Sequence, residues 1–462
     1  MFVKRTFFPR LRRLRWRILA VAGAILVWAS LYADCWHVVS PYWFGKHFLD
    51  TEYLVLGRCN LARQHGCLFA DGGLAGSITG IYPRYEAQYD CFFNASVIDS
   101  AASRYSPYMS QSCFQTVLLS LADRILPLAP YQRFALFRAT TALLATLSFM
   151  LLVYWIHRKF GAVAAVLAFC SVISSPFITV FGRNLWFQSW TYLLPFFAVA
   201  WRIKRMRPNA PISFRTDFLV VGAAVLVKCM LNGYEYVTTA VLAILSPYVY
   251  DWCLRQRSLK HIAAQAGSAL GGAACAIAIT CVILVGQISA VKGSPKAGID
   301  YLLQTAEERM YGNPEKHVES ISASLHASTA SVVSLYLRGR MFEYGLINWE
   351  RGEVVPWRWL RSSVRFAHLI ILTLLASCVL LWSARRCGSE RRRIIAAVAS
   401  TGISIAAPLS WIVLFKAHAF VHPHLDTIVW YVPFVPMAAG LCGLAISRWC
   451  AILSGKSDCG PA

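Results

Sequence analysis

The sequence predicts an all-α membrane protein of about ten transmembrane helices, with two long extracytoplasmic loops that contain short surface helices. Three observations lead there. The 462 residues are 57% hydrophobic and only 15% charged, with mean hydropathy +0.50, whereas soluble domains run near ~25% charged. Apolar runs of about 18 residues recur, each long enough to cross ~30 Å of hydrocarbon as helix. The linkers between them alternate between strongly basic and nearly cation-free. A β-barrel would show short alternating segments instead. The formal net charge of +23 would suggest nucleic acid in a soluble protein. No recognised nucleic-acid motif accompanies it, and the cations sit at span ends, where they orient the chain and anchor anionic lipid. The expected environment is the lipid bilayer, with no nucleic-acid partner.

The N-terminus, MFVKRTFFPRLRRLRWR, is basic and runs into apolar 16–33. No small-residue cleavage site is obvious, so it reads as a retained first helix with a cytoplasmic flank. Further apolar runs fall at 134–156, 161–181, 185–201, 217–233, 237–253, 264–288, 366–384, 393–416 and 427–447. The expected inner linkers, IHRKF (156–160), RIKRMRP (202–208), CLRQRSLKH (253–261) and ARRCGSERRR (384–393), are all basic. The expected outer linkers, RN (183–184), NGYEY (232–236) and HAFVHPHLD (418–426), carry little Lys or Arg. Among carboxylates only Asp217, Asp251, Glu390 and Asp458 fall inside. The chain is therefore expected in the inner (cytoplasmic) membrane, multi-pass, with both termini cytoplasmic. Its divisions are 1–33, the basic N-terminus and first span; 34–133, the first extracytoplasmic loop; 134–288, spans two to seven; 289–365, the second extracytoplasmic loop; and 366–462, the last three spans and the tail.

Loops as long as 34–133 and 289–365 rarely lack structure. Helices lying along the membrane surface are expected in them, and QTVLLSLADRILPLAPYQRF (115–134) has the amphipathic pattern for one. Of 15 cysteines, Cys35, Cys59, Cys67, Cys91 and Cys113 are expected outside, where an oxidising compartment permits disulfides. Cys59 with Cys67 and Cys91 with Cys113 are candidate bridges, the pairing being open. Asn94-Ala95-Ser96 is a glycosylation sequon, relevant in a eukaryotic secretory pathway.

The chemistry is expected in the first loop, where LDTEY places Asp50 and Glu52 two positions apart. Asp34 ends the first span. A helix opening near Asp50 would make that residue an ordinary cap and Glu52 a solvated side chain. The functional alternative is a carboxylate at the outer face that takes the proton of an acceptor hydroxyl while a sugar leaves a lipid phosphate.

The order of a basic N-terminus, one span, a long outer loop with an early acidic pair and then many spans resembles the GT-C superfamily of membrane glycosyltransferases. DTEYLVLGRCNLARQHGCLF (50–69) resembles that superfamily's acidic motif and following helix. The resemblance implies a polyprenyl-phosphate sugar donor, Asp50 as catalytic base, Glu52 as its support or as ligand to a divalent cation where one is used, and Asp34 as the rival base.

A donor held by phosphate needs cations on the same face. Lys228 lies inside an apolar run, where a Lys marks a pathway, pairs with a group such as Glu235, or snorkels to the interface. Arg183 stands in a tight turn before Trp186 and Trp190, as a phosphate fork or an interfacial anchor. The last outer linker packs Lys416, His418, His422, His424 and Asp426 together. It reads as a phosphate clamp, a metal site by its His-x-His spacing, or a solvated turn. The second loop adds Arg338, Arg340, Arg351, Arg358 and Arg361 among Trp349, Trp357 and Trp359.

The leading reading is a hexosyl- or pentosyltransferase moving a sugar from polyprenyl phosphate to a glycan, lipid or protein acceptor on the periplasmic face. An O-antigen ligase or polymerase would rest its chemistry on loop 289–365. A polytopic lipid or oligosaccharide transporter would favour short loops, repeated halves and mid-membrane charge.

Overall fold

The computed structural model of the chain describes residues 3–46, 49–65, 70–79, 84–94, 104–206, 213–343, 363–385 and 390–454. It is 81% helical with almost no sheet. Among the described residues six helices are long and apolar enough to cross a membrane: Pro130–Phe160, Val237–Arg255, Leu259–Lys292, Phe366–Ala384, Arg391–Leu414 and Phe434–Leu453. The bent pair Ala162–Ile173 and Pro176–Gly182, with 64° between its halves, makes up to seven. The protein is thus an all-α, multi-pass membrane protein.

Each apolar run read from the sequence contains helix, and the departures have local causes. The run 161–181 bends before Pro176, which has no N–H to continue the ladder; the Ser175 hydroxyl accepts from Ile178 N at 3.1 Å and restarts the helix. The run 185–201 becomes helical only at the 3-10 turn Ser189–Leu193 and the helix Leu194–Arg205. Its beginning is held open by Asn184, whose Oδ1 accepts from Trp186 N at 2.8 Å and Phe187 N at 3.1 Å. The first helix, Val3–Ala33, is apolar over Ile18–Ala33.

Small residues set how closely the helices pack, as lipid-embedded bundles require. A Cβ on Gly272 would meet the Phe218 carbonyl at 2.1 Å, so Leu259–Lys292 and Phe214–Asn232 touch backbone to backbone. A Cβ on Gly443 would meet Ala164 Cα at 2.7 Å.

Both long loops are structured where described. The first carries helices Pro41–Lys46, Leu49–His65, Arg84–Asn94 and Phe114–Ile125, with Gly76–Thr79 paired antiparallel to Arg104–Pro107. The second carries Pro295–Arg309, Glu319–His326 and Thr329–Arg338. The helix Phe114–Ile125 inverts the soluble pattern. Its polar residues Gln115, Thr116, Ser120 and Asp123 are buried, while Phe114, Leu118, Leu121 and Ile125, one face by spacing, are exposed.

Charge is sorted between the two ends of the bundle. Arg202–Asp217, Arg255–Asp251, Arg257–Asp251 and Arg448–Glu390 pair residues at the end bearing the basic linkers. Arg63–Asp123, Arg138–Glu52, Arg309–Glu235 and His418–Asp426 pair residues at the other. Among the described residues no ion pair joins the two groups.

Candidate functional site

Segments distant in sequence meet at the end of the bundle opposite the basic linkers. They enclose a cavity of about 390 Å³ lined from the first loop, the 184–187 turn, the 233–236 turn, the second loop and the 416–426 linker.

The first loop supplies Thr51, Tyr53 and Leu54 from the helix Leu49–His65. This helix is fixed by Glu52, which is completely buried and faces its own partners. The Glu52 carboxylate accepts from Arg138 Nη2 at 2.5 Å, from Leu185 N at 3.0 Å and from the Tyr89 hydroxyl at 3.2 Å. Asn184 Nδ2 donates to Thr51 Oγ1 at 2.9 Å, so the helix is sewn to the turn that carries Trp186 and Phe187 into the same cavity. Arg183 beside them donates to the carbonyls of Tyr32 at 2.8 Å and Phe44 at 3.2 Å and lies 3.8 Å from the centre of the Phe44 ring.

Glu235 enters from the turn after the helix Phe214–Asn232. Lys228, fully buried in that helix, donates to the carbonyls of Gly233, at 2.8 Å, and Glu235. The Glu235 carboxylate instead pairs with Arg309 Nη1 at 3.3 Å, and Arg309 Nη2 reaches the Tyr108 hydroxyl at 3.5 Å. Burial acts against the charge on Arg309, but Glu235, Tyr108 and Asp426 together more than offset it, raising its pKa.

The second loop folds back onto the last linker. Lys416 Nζ donates to Leu325 O at 2.6 Å and Ala327 O at 2.7 Å. Tyr336 donates to Ala419 O and Tyr431 to Met341 O, both at 2.9 Å. Glu308, Arg309, Ile321 and Ser324 thereby form one wall of the cavity, and His418, His422 and His424 another.

Within that wall the histidines are differentiated. His418 Nδ1 lies 2.9 Å from Asp426 Oδ2, which also accepts from Trp411 Nε1 at 2.8 Å. Asp426 is fully buried. Burial alone would depress the His418 pKa, but the Asp426 charge and hydrogen bond, helped by Glu235, raise it above 6.5. Burial would raise Asp426, and His418 with Trp411 holds it below its usual range. His422 is lowered by burial and by His418. His424 is pushed down to about 4 by burial and by His422. The fold therefore favours a proton on His418 and disfavours one on His422 and His424.

His424 also lines a second cavity, of about 440 Å³, across the turn Pro423–Asp426. Arg338, Arg340 and Arg365 face it, with Glu343 paired to Arg340.

The structure thus gathers His418, His422 and His424 at one site and gives other expected site residues different surroundings. Asp50 is the second residue of the helix Leu49–His65, whose next turn lines the first cavity; its side chain lies outside the described residues. The Glu52 carboxylate is engaged with Arg138 rather than solvated. Asp34 is buried and accepts from Val38 N at 2.9 Å and Val39 N at 3.2 Å, fixing the turn after the first helix. Lys228 and Arg183 line neither cavity and are engaged with backbone carbonyls. Lys416 holds the second loop in place. Of the roles open to Lys228, pairing with the Glu235 side chain is not the one found: the lysine meets the carbonyl, and the carboxylate belongs to Arg309. The candidate disulfides are corrected as well, because Cys59, Cys91 and Cys113 are free thiols; Cys59 accepts from the Ser120 hydroxyl at 3.6 Å. Cys67, Arg351, Arg358, Arg361, Trp349, Trp357 and Trp359 lie outside the described residues. Among the described residues no group of three or more His, Cys, Asp or Glu is placed to hold a metal ion.

Sequence reasoning missed Arg309, Tyr108 and Trp411. The first is one arginine among many in a long loop, and the other two are aromatics in an aromatic-rich chain, so no local pattern marks them. Compared with protein-family models, with curated proteins and with solved structures, the chain matches none.

Proposed function

We propose that the protein is a membrane glycosyltransferase of the GT-C type, transferring a sugar from a polyprenyl-phosphate donor to a hydroxyl acceptor on the extracytoplasmic face. The observation that supports this most is the cavity at which the expected outer segments converge, the two long loops and three turns each contributing to its lining. Its lining suits the reaction: Glu235, Arg309 and His418 as charged and titratable groups, with Asp426 buried behind His418, aromatic walls from Tyr53, Tyr108 and Trp186 for a sugar ring, and the helix Leu49–His65, which carries Asp50. In this reading about ten helices span the membrane, the basic linkers and both termini are cytoplasmic, and the cavity opens on the periplasmic side of the inner membrane.

The reaction needs a base to take the acceptor proton as the new C1–O bond forms and the C1–O bond to phosphate breaks. Asp50 fills that role in this reading, with Glu52 setting the helix that presents it. The polyprenyl phosphate leaves with the bonding pair on its oxygen. The acceptor is a glycan, a lipid or a protein.

The test is transfer by the purified, bilayer-reconstituted protein from a panel of radiolabelled polyprenyl-phosphate sugars, with Asp50→Asn alongside. Transfer by the wild type and its loss in a folded Asp50→Asn variant is the expected result. No transfer from any lipid-linked donor would refute the reading and favour a transporter.

A further inference from the structure

We propose that His418, oriented by Asp426, is the proton donor to the departing lipid phosphate. The inference rests on the glycosyltransferase reading and assigns a chemical step to a residue for which sequence suggested only binding.

The geometry carries it. His418 uses Nδ1 for Asp426, and its Nε2 has no hydrogen-bond partner among the described residues, while the ring lines the cavity. Asp426 is itself held by the Trp411 indole, so the pair is built from a rigid, fully buried base. Trp411 is stacked on Phe415 with ring centres 4.1 Å apart and meets Tyr236 edge-on at 5.0 Å, which fixes it in turn. A histidine held through one nitrogen by a buried carboxylate presents the other in a fixed direction.

The step balances without a further reagent. As the bond from C1 to the phosphate oxygen breaks, its electron pair passes to that oxygen and the proton on His418 Nε2 follows. Asp426 stays ionised throughout and compensates the imidazolium before the step. Water in the open cavity reprotonates the ring. The acceptor proton goes separately to the base, Asp50 of the first-loop helix in this reading, while the acid stands on the last linker.

The charges facing His418 are Asp426 and Glu235, which favour its proton, and Arg309 and His422, which oppose it. The acid must be protonated to act, so activity should fall as pH rises through the His418 pKa, above 6.5. Removing the Asp426 charge should move that fall to lower pH.

The experiment measures kcat/KM against pH for reconstituted wild type, His418→Gln, His418→Ala and Asp426→Asn, with the lipid donor that the wild type uses. We expect a drop of about 100-fold in His418→Gln, with the alkaline limb gone. In Asp426→Asn the limb should shift to lower pH. In His418→Ala added imidazole should restore part of the rate, a result that a merely structural histidine would not give. A folded His418→Gln variant with the wild-type rate and limb would overturn the proposal while leaving the glycosyltransferase reading intact. A wild type inactive with every lipid donor would overturn both.

Discussion

Arg138 Nη2 lies 2.5 Å from the Glu52 carboxylate, and this contact joins the first loop to the helix Pro130–Phe160, with Glu52 fully buried and Arg138 largely so. The pair explains why a carboxylate two positions after Asp50 is needed even without a chemical role. Breaking one side of a buried pair leaves an uncompensated charge, at a cost of about 3–5 kcal/mol. Glu52→Gln should keep the bonds from Leu185 N and Tyr89 in part and lose most of that energy, lowering Tm in detergent. The double variant with Arg138→Gln should lose less than the sum of the single changes. A Glu52→Gln protein with wild-type Tm and no turnover would instead give Glu52 a direct part in the chemistry.

His418 and His424 should give opposite pH dependences of stability. The folded state binds a proton on His424 only near pH 4, whereas the unfolded chain binds it near 6.5. Between those values the unfolded state holds more protons, so stability falls as pH drops from 6.5 towards 4 and levels below. The raised pKa of His418 stabilises the fold fully below 6.5, and that contribution is lost as pH rises through its folded value. Tm measured in detergent from pH 4 to 8 should therefore fall less on the acid side in His424→Gln than in wild type. His418→Gln should show less decline on the alkaline side. Superimposable Tm profiles for all three proteins would contradict the assigned shifts.

The exposed row Phe114, Leu118, Leu121 and Ile125 makes a third expectation. A spin label at Leu121 in a bilayer should be more accessible to oxygen than to a water-soluble nickel complex, as at an acyl boundary. A label replacing Lys316, exposed in the second loop, should show the reverse. Equal access to the nickel complex at both positions would place the helix in water.

The amount legible in the sequence followed from the range of each interaction. Apolar runs and basic linkers are local patterns imposed by the bilayer, and helices duly occupy them. The inverted helix after Cys113 was readable for the same reason, since amphipathicity is periodic. The roles of Lys228 and Glu52 were not, because their partners depend on folding. Gly233 O and Glu235 O come within reach of Lys228 only once the turn closes. Arg138 lies 86 positions from Glu52. The histidine linker stood out by composition alone, yet only the fold shows that one member is carboxylate-held and two are not.

Orientation is the last expectation and the one on which the chemistry most depends. The ion pairs sort into two ends, and the positive-inside tendency assigns the basic end to the cytoplasm. Glu315 in the second loop and Lys260 in a basic linker are both exposed, so cysteines there can report the side directly. In a Cys35→Ser background, which removes an exposed native thiol, Glu315→Cys should react with a membrane-impermeant maleimide in spheroplasts, where the outer face of the inner membrane is open to the reagent. Lys260→Cys should react only after the membrane is permeabilised. The reverse pattern would turn the cavity to the cytosol. His418, Glu235 and the helix headed by Asp50 would then meet cytosolic substrates, and a donor presented on the outer leaflet could not reach them.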